Sequence, residues 1–346
     1  MNLDATGDFV DKAYLRIACG NCKTCNQKHI VTGEPLHHVA CPRKVAEDDG
    51  QTYTRCNTSN QGERWELSQK PLLLEGKPVV AQIYGDLEPR IRKLKERGVT
   101  PCLATILVGD DPASATYVKM KGNACKKLGM DSRRIHLPED TTTAQLLDTI
   151  AELNGDPLIH GILLQHPVPA QINERLAFDA IVPEKDVDGV TSLGFGRMAY
   201  SVQSYASCTP EAIIAVMDYY HLPISGQHVV VIGRSAILGK PVSFLLLNRN
   251  ATITVCHSKT TDLPFHVSTA DIVVAAVGRP RFVQGEWLKQ GAIVLDAGYN
   301  EGNVGDADFE SCLGQVSAIT PVPGGIGPVT IATLLRHTVE AAEKLH

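Results

Sequence analysis

Residues 228–247 read HVVVIGRSAILGKPVSFLLL, and this stretch decides the fold. Its first five residues form a valine-rich run, which is typical of a strand buried on both faces of a parallel sheet. A turn containing Gly233 follows, and a helix is predicted from about Gly239. A glycine turn between strand and helix lets a dinucleotide pyrophosphate approach the backbone and the amides at the helix N-terminus. The two glycines do not complete a GxGxxG pattern, so the spacing alone fits an ordinary turn equally well.

Three further apolar runs follow at intervals of roughly 20 residues, as expected of a Rossmann-type sheet. They are Thr252–Cys256, residues 272–276 and Ala292–Asp296. A helix precedes the sheet and is predicted to begin at Thr209-Pro210-Glu211, where a capping residue, a proline and an acid follow one another. We therefore predict that residues 209–327 form a Rossmann-type NAD(P)-binding domain.

Strands and helices also alternate upstream, in residues 71–208. Strands are predicted at residues 102–108, 135–137 and 159–165, and helices at 79–97, 113–128 and 143–153. This alternation predicts a parallel sheet covered by helices, so the chain is expected to have the α/β fold class with an N-terminal α/β catalytic domain. A C-terminal helix within residues 328–346 is expected to complete that domain. Its apolar stripe consists of Val329, Ala332, Leu335, Val339 and Ala342.

Length and composition describe a folded protein that acts on small molecules. The 346 residues are enough for two domains or slightly more, and 43% hydrophobic with 21% charged residues excludes a disordered chain. The net charge of -5 argues against general binding to nucleic acid or to anionic membranes. No apolar run approaches the roughly 18 residues of a membrane span, so a cytoplasmic location is expected.

The ten cysteines are distributed unevenly. Five lie in a small N-terminal appendix, residues 1–70: Cys19, Cys22, Cys25, Cys41 and Cys56. Their clustering in a chain without a secretory signal predicts a metal site, most plausibly structural zinc with His29, His37 and His38 as spare ligands. An iron-sulfur cluster and free or redox-active thiols are the alternatives. The other five cysteines are scattered singly and are expected to be buried or incidental thiols.

The segment after the second strand of the Rossmann-type sheet bears on cofactor choice. It reads Cys256-His257-Ser258-Lys259 and has no acid where NAD enzymes usually bind the ribose hydroxyls. Ser258 and Lys259, with Arg234 nearby in the glycine turn, suit a 2′-phosphate and favour NADP over NAD. The alternative is that Lys259 is an ordinary solvated lysine.

Two side chains of the predicted helix 113–128 share one face, because Tyr117 and Lys121 are four residues apart. Ala124 and Leu128 continue that face, so Lys121 projects from an apolar stripe. Partial removal from water would let this lysine exchange protons nearer neutral pH. Without other information, a lysine lying over an aromatic ring is the more common explanation of such a pair.

The order and length of several motifs resemble the bifunctional methylenetetrahydrofolate dehydrogenase/cyclohydrolase family. The resemblance covers residues 71–346 and rests on VGDDPASATYVKMKGNACKKLGM, GILLQHPVP, PEKDVDGVTSLGFGRM, VVVIGRSAILGKPVSFLLL, ATITVCHSKTTDL, ADIVVAAVGRPRF and ITPVPGGIGPVTIATLL. It implies oxidation of 5,10-methylenetetrahydrofolate with NADP and hydrolysis of the methenyl product to 10-formyltetrahydrofolate. It also implies a homodimer and a folate substrate that carries a polyglutamate tail.

The resemblance further implies roles for individual residues. Lys121 would transfer protons, Tyr117 would assist and stack on the folate, and Gln165 would hydrogen-bond the lysine and substrate. Asp188, with Asp186 as the fallback, would bind the pterin. The remaining implied contacts are Pro323, Gly324, Gly325 and Thr330 for substrate and nicotinamide, and Gly233, Arg234, Ser235, Gly239, His257, Ser258 and Lys259 for the cofactor.

His166 departs from the leucine that is common in the family, and it could contact folate or cap a turn. Two other functions compete with the bifunctional enzyme. One is a monofunctional dehydrogenase, with weak or absent cyclohydrolase activity or a preference for NAD. The other is a metal- or folate-sensing regulator that binds nucleic acid, which the charge of -5 disfavours.

Overall fold

A computed structural model describes residues 70–346 in full, apart from the side chain at position 113, and the backbone of strand segments within residues 1–69. The strands of that first part are β1 (Tyr14–Ala18), β2 (His29–Ile30), β3 (Val45–Asp48), β4 (Gln51–Cys56) and β5 (Arg64–Ser68). They pair antiparallel in the order β2-β1-β3-β4-β5. The sequence patterns indicated no strands in this part of the chain. Residues 1–70 and 71–346 form two separate compact units.

The second unit begins with a small parallel sheet and its helices. The elements are β6 (Leu72–Leu73), α1 (Gly76–Glu96), β7 (Cys102–Val108), α2 (Pro112–Lys127), β8 (Asp131–Leu137), α3 (Thr143–Gly155), β9 (Gly161–Leu164), α4 (Glu174–Asp179) and α5 (Ser192–Ala199). Strands β7, β8 and β9 are parallel, in the order β8-β7-β9. Every residue of β7 is buried, because it is the central strand and helices cover both of its faces.

A larger sheet follows. Its elements are α6 (Cys208–Tyr219), β10 (His228–Ile232), α7 (Gly239–Leu247), β11 (Thr252–Cys256), α8 (Leu263–Ser268), β12 (Ile272–Ala275), β13 (Ala292–Asp296), α9 (Phe309–Cys312), β14 (Val316–Ile319) and α10 (Ile326–Leu345). The six strands are parallel in the order β11-β10-β12-β13-β14-β6. The order reverses between β10 and β12, which makes the carboxyl ends of these two strands the expected ligand position of a doubly wound fold.

The α/β architecture predicted from sequence is confirmed. The predicted bounds of β7, β10, β11 and β13 are those of the structure, while β8 begins four residues before the predicted 135. Sequence patterns missed β14 and the two-residue strand β6, which joins β14 at the sheet edge. The last helix starts at Ile326, two residues before the predicted 328, and the five residues of its apolar stripe are all buried.

Helix α10 connects the two sheets of the second unit. It packs against α1 and α6 and also contacts β7, β9 and α2. Its buried face joins a large apolar core that includes Leu87 of α1, Ile213 of α6 and Val231 of β10. Strands β7 and β9 and helix α2 are therefore packed against the same helix as the larger sheet.

Candidate active site

Helix α2 presents the two candidate catalytic side chains. It begins where the Asp111 carboxylate accepts a hydrogen bond from the Ser114 amide at 2.7 Å, and Pro112 occupies the first turn. Tyr117 and Lys121, one turn apart, are both partly buried, while Lys119 on the same helix is exposed. The helix therefore directs Tyr117 and Lys121 toward the protein and Lys119 toward solvent.

The amine of Lys121 contacts a residue distant in sequence. Lys121 Nζ donates to Gln165 Oε1 at 3.0 Å, and Gln165, which follows β9, is buried. The amide nitrogen of Gln165 donates to the His166 carbonyl at 2.9 Å, and this bond turns the amide oxygen toward the lysine. Burial lowers the pKa of Lys121, and the nearby Asp188 carboxylate acts in the opposite direction. This lysine is thus poised to give up and regain a proton.

The structure separates the two candidate acids. Asp186 is 2% exposed, and its carboxylate accepts the amides of Val190 and Thr191 at 3.0 Å each. Because both carboxylate oxygens of Asp186 accept backbone amides and stabilise this turn, the structure does not support Asp186 as the fallback pterin ligand. Asp188 is half-buried, and its charge acts on Lys121. Of the two carboxylates, Asp188 is the one whose charge acts on Lys121, and its role in substrate binding stays a prediction.

A second tyrosine, absent from the residues chosen by sequence, lies against Tyr117. The rings of Tyr117 and Tyr299 meet edge to face, with centroids 6.1 Å apart. Tyr299 lies three residues beyond β13, in a loop where its hydroxyl hydrogen-bonds Asn303. Burial and Tyr299 together raise the pKa of Tyr117. The only available sequence signal was an aromatic residue just after the carboxyl end of a parallel strand.

His166 lies beside this cluster but has another neighbour. It is half-buried, and its ring meets the Phe178 ring edge to face with centroids 6.4 Å apart. Its carbonyl oxygen is the group that orients Gln165. The contribution of His166 that the structure shows is therefore made through its backbone.

The glycine turn after β10 lies where the strand order reverses. Gly233 has a φ of 131°, and a Cβ there would lie 2.1 Å from the Ala276 carbonyl oxygen just after β12. A Cβ on Gly239 would lie 2.2 Å from the Gly233 carbonyl oxygen. Both positions require glycine, since any side chain would separate β10, β12 and the start of α7. Ser235 Oγ accepts the amides of Leu238 and Gly239 at 3.2 and 3.3 Å and shapes the turn between them.

The candidate phosphate-binding residues come from two neighbouring strand ends. Strands β10 and β11 pair in register as far as Ile232 and Cys256, so the residues that follow them emerge at the same edge. Arg234, Ser258 and Lys259 are all exposed there. The partly buried His257 stabilises this loop, because its Nδ1 accepts the Lys259 amide at 3.2 Å. The exposed cations and the glycine-lined turn fit a dinucleotide with an additional phosphate.

The loop between β14 and α10 packs tightly on the start of α1. The Gly325 amide donates to the Pro321 carbonyl at 2.8 Å, and the Gly324 carbonyl accepts the Gly76 amide at 2.8 Å. Gly324 has a φ of 104°, which favours glycine, and Pro323 precedes it. Thr330 lies on α10, where its hydroxyl donates to the Ile326 carbonyl at 3.3 Å and lies 3.4 Å from the Thr209 hydroxyl. These residues have clear structural contacts, and a substrate role for them stays a prediction.

Two buried aspartates that sequence reasoning missed organise the loops around this edge. The carboxylate of Asp306 accepts the amides of Val277, Gly278 and Arg279 at 2.6, 2.8 and 2.9 Å. Asp296, at the end of β13, accepts the amides of Gly298, Asp306 and Ala307. Burial raises the pKa of Asp296 to about 6. Together the two carboxylates fix the loops that follow β12 and β13.

The predicted metal ligands cannot be compared with the structure. Cys19, Cys22, Cys25 and Cys41 lie outside the described residues, as does the side chain of Cys56. Within residues 70–346, no group of three or more histidine, cysteine or acidic residues could hold a metal. The five scattered cysteines, 102, 125, 208, 256 and 312, are buried free thiols, as predicted. No helix among the described residues has the length and apolarity needed to cross a membrane.

Known proteins resemble this chain over its second unit. Two family models match: the catalytic domain of tetrahydrofolate dehydrogenase/cyclohydrolase over residues 74–188, and the NAD(P)-binding domain of the same enzymes over residues 207–346. The bifunctional protein FolD of Shouchella clausii is 63% identical over 275 residues, which is 80% of this chain and 99% of that protein. The FolD protein of Cellvibrio japonicus is 57% identical, over 79% and 98% of the two chains.

Solved structures agree with the sequence relatives. The bifunctional FolD enzyme of Campylobacter jejuni matches with a TM-score of 0.77 and 42% identity, covering 79% of this chain and 98% of that one. The Trypanosoma brucei dehydrogenase-cyclohydrolase, solved with NADP and an inhibitor, matches with a TM-score of 0.77 and 34% identity, over 80% and 98%. Because both halves match family models and close relatives align over nearly their full length, the chain belongs to the tetrahydrofolate dehydrogenase/cyclohydrolase family.

Proposed function

We propose that this chain oxidises 5,10-methylenetetrahydrofolate with NADP and hydrolyses the resulting methenyl form to 10-formyltetrahydrofolate. The observation that carries the proposal is the bond between Lys121 Nζ and Gln165 Oε1, made one helical turn from Tyr117. It places a proton-transferring amine, an amide and an aromatic ring together beside the half-buried Asp188. The family membership of the chain supports the same pair of reactions.

In the dehydrogenase step the protein orients the folate. The Asp188 carboxylate suits the neighbouring N–H donors of the pterin, and the Tyr117 ring offers a face or edge for stacking. A nicotinamide cofactor bound at the glycine turn after β10 would supply the acceptor for the hydride of the methylene carbon. Gly233 and Gly239 would hold the pyrophosphate close to the backbone at the start of α7.

In the cyclohydrolase step Lys121 moves protons. Water attacks the methenyl carbon, and the adduct must lose a proton from oxygen and gain one on the departing ring nitrogen. An amine whose pKa is lowered by burial can accept the first proton and return it to nitrogen. Gln165 holds that amine in place, so the same pocket serves both steps.

The cofactor preference follows from the exposed charges at the edge of β10 and β11. Arg234 and Lys259 are both exposed there, and Ser258 adds a hydroxyl. A charge-assisted contact from either cation to a 2′-phosphate would favour NADP over NAD. The alternative of a monofunctional dehydrogenase is less well supported, because the proposed cyclohydrolase residues Lys121 and Gln165 are in contact.

Three assays on the purified full-length protein test this function. The first is reduction of NADP and, separately, NAD with methylenetetrahydrofolate; the second is hydrolysis of methenyltetrahydrofolate. We expect both activities, with NADP preferred. Protein that binds folate but catalyses neither reaction would refute the proposal. Binding of DNA or RNA, measured as the third assay, would instead support the regulator hypothesis.

We also propose a homodimer, supported by an open sheet edge with apolar neighbours. Strand β11 is one of the two edge strands of the larger sheet, and Val255 on it is 39% exposed. Phe244 and Leu247 on the adjacent helix α7 are 36% and 51% exposed. We expect light scattering to give the mass of a dimer and Val255→Lys to give a monomer. Phe265→Lys, at an exposed residue on α8, is the control, and an unmodified protein of monomer mass would contradict the proposal.

For residues 1–70 we propose one structural zinc bound by the clustered cysteines, with an iron-sulfur cluster and free or redox-active thiols as alternatives. The support is the sequence pattern alone: three thiolates within seven residues from Cys19 to Cys25, then Cys41 and Cys56. Elemental analysis of anaerobically purified protein distinguishes these possibilities. If the protein contains neither zinc nor iron at about one ion per chain, the metal site is refuted. Removal of residues 1–70 is expected to spare the folate chemistry. The polyglutamate tail and the cytoplasmic location also stay predictions.

A further inference from the structure

His337 is a buried histidine that the proposed mechanism does not use. It lies on α10, is 2% exposed, and both of its ring nitrogens face oxygen atoms. Nδ1 lies 2.8 Å from the carbonyl oxygen of Val187, and Nε2 lies 2.9 Å from Glu211 Oε2 on α6. The two contacts join α10, α6 and the segment that carries Asp188.

The two partners of His337 determine its protonation state. A carbonyl oxygen can only accept, and an ionised carboxylate also only accepts, so each ring nitrogen must carry a hydrogen. Glu211 is ionised: burial alone would raise its pKa, but His337 and Arg336 bring the pKa to about 2. Burial opposes a charge on His337, yet the Glu211 carboxylate raises the pKa of the imidazole. The ring is therefore an imidazolium.

The carbonyl that accepts from His337 immediately precedes Asp188. Cys208 reinforces the same segment, because its thiol donates to the Val187 carbonyl at 3.2 Å and its amide donates to the Asp188 carbonyl at 3.2 Å. The Cys208 thiol also lies within hydrogen-bonding reach of the Asp188 carboxylate, and its sulfur is 3.8 Å from His337 Nδ1. His337 and Cys208 therefore both hydrogen-bond the backbone segment that carries Asp188.

We propose that His337 is a positioning residue for the folate-binding carboxylate. As an imidazolium it fixes the peptide between Val187 and Asp188 and places a positive charge behind Asp188 and Lys121. The inference rests on the proposed role of Asp188 in substrate binding. Nothing about His337 requires it to touch the folate or the cofactor.

Other charged and titratable groups surround the His337 ring and contribute to its electrostatic environment. Those facing it or its partners are Glu211 on α6, Arg336, Glu340 and Lys344 on α10, and Tyr205, Cys208, Asp188 and Lys121 on the surrounding segments. Arg336 and His337 both pair with Glu211, so two positive groups share one carboxylate. Loss of the imidazolium removes one positive charge near Lys121 and raises the proton affinity of its amine.

The first test uses the unmodified protein. Nitrogen-15 NMR of the histidine rings reports directly whether a ring carries one or two N–H groups, and the spectrum of His337→Asn assigns the signal. We expect two N–H groups on His337 throughout the range in which the protein stays folded near neutral pH. A neutral ring with one N–H overturns the proposal, whatever the activity of the protein.

The second test compares kinetics. His337→Asn keeps one neutral donor but loses the charge, and we expect the KM for methylenetetrahydrofolate to rise roughly tenfold, with kcat and the KM for NADP changing much less. The pH profile of methenyl hydrolysis should move upward by roughly 0.5 to 1 unit. His160→Asn is the matched control, because His160 is equally buried at 2% but bonds the Cys102 amide.

A double-mutant cycle with Asp188→Asn shows whether His337 acts through Asp188. We expect His337→Asn to have little further effect on KM in the Asp188→Asn background. Three outcomes would each show that His337 only stabilises the fold. They are an unchanged KM and pH profile in His337→Asn, additive effects of His337→Asn and Asp188→Asn on KM, and an equal effect of His160→Asn. If Asp188→Asn itself keeps the normal KM in an active enzyme, the role of Asp188 fails and the positioning proposal fails with it. Lack of folate turnover in the unmodified protein would instead refute the proposed function.

If His337→Asn does not fold, Glu211→Gln provides the second variant. It leaves the ring in place and removes the carboxylate that holds the second proton. We expect the NMR signal of His337 to lose one N–H at lower pH than in the unmodified protein, with a parallel rise in KM for the folate. A ring that keeps both hydrogens over the same pH range, or an unchanged KM, overturns the proposal.

Discussion

Replacing Lys121 by methionine tests the proposed chemistry most directly. Methionine retains the apolar stem and the helix preference of lysine but cannot transfer a proton. A general acid-base group contributes about 100- to 10,000-fold in rate, which corresponds to about 2.7 to 5.5 kcal/mol of transition-state stabilisation. We expect methenyl hydrolysis to fall by a factor in that range.

The effect on folding should be much smaller than the effect on rate. The substitution removes one charge-assisted hydrogen bond, from Lys121 Nζ to Gln165 Oε1 at 3.0 Å, which is typically worth about 1.5 to 3 kcal/mol. It also removes a charge that burial disfavours, as the lowered pKa of this amine shows. These contributions have opposite signs, so the free energy of unfolding should change by only about 1 kcal/mol.

The assay follows loss of the methenyl chromophore as a function of pH. The unmodified enzyme should show a titration below the ordinary lysine pKa of 10.5, because burial lowers the pKa of Lys121. That titration should be absent from Lys121→Met, which should still bind NADP normally. Lys119→Met, at an exposed residue of the same helix, should retain full activity. Retention of more than about a hundredth of the hydrolysis rate by Lys121→Met would refute the assignment, since even the weakest such groups contribute about 100-fold.

Three further outcomes are expected. Gly239→Ala should weaken the binding of both nicotinamide cofactors and lower the melting temperature, because the new Cβ would lie 2.2 Å from the Gly233 carbonyl oxygen. An unchanged melting temperature in calorimetry and unchanged cofactor affinities in titrations would contradict this. Removing the Arg234 and Lys259 side chains together should raise the KM for NADP about tenfold or more while leaving the KM for NAD nearly unchanged. An equal rise in both KM values would show that neither side chain lies at the 2′-phosphate site. Glu211 has a pKa of about 2 in the folded protein against 4.5 unperturbed, so it should contribute about 3 kcal/mol to the free energy of unfolding above pH 4.5, and this contribution is lost as the pH falls through 2. Urea titrations of Glu211→Gln should not show this pH dependence of the free energy of unfolding.

Local sequence patterns were enough to predict the elements that carry the site. The run HVVVI is short, apolar and followed by glycine, so the bounds of β10 and the start of α7 followed directly from it. The spacing of Tyr117 and Lys121 put both on one helix face because a helix brings residues four apart into line. Family resemblance supplied Gln165 and Asp188, whose roles no periodicity could have indicated.

The sequence alone therefore determined the bounds of β7, β10, β11 and β13 and the helix face that Tyr117 and Lys121 share, since these depend on neighbours a few residues away. Tertiary structure decided which distant groups meet. The amide that holds Lys121 is 44 residues away in the chain, and the ring that meets Tyr117 belongs to Tyr299, in the loop after β13 of the larger sheet. Family resemblance favoured Asp188 over Asp186, and the structure supplied a physical reason, because the Asp186 oxygens accept the amides of Val190 and Thr191. Burial and long-range contacts arise only when the sheets and helices pack, so no local pattern encodes them.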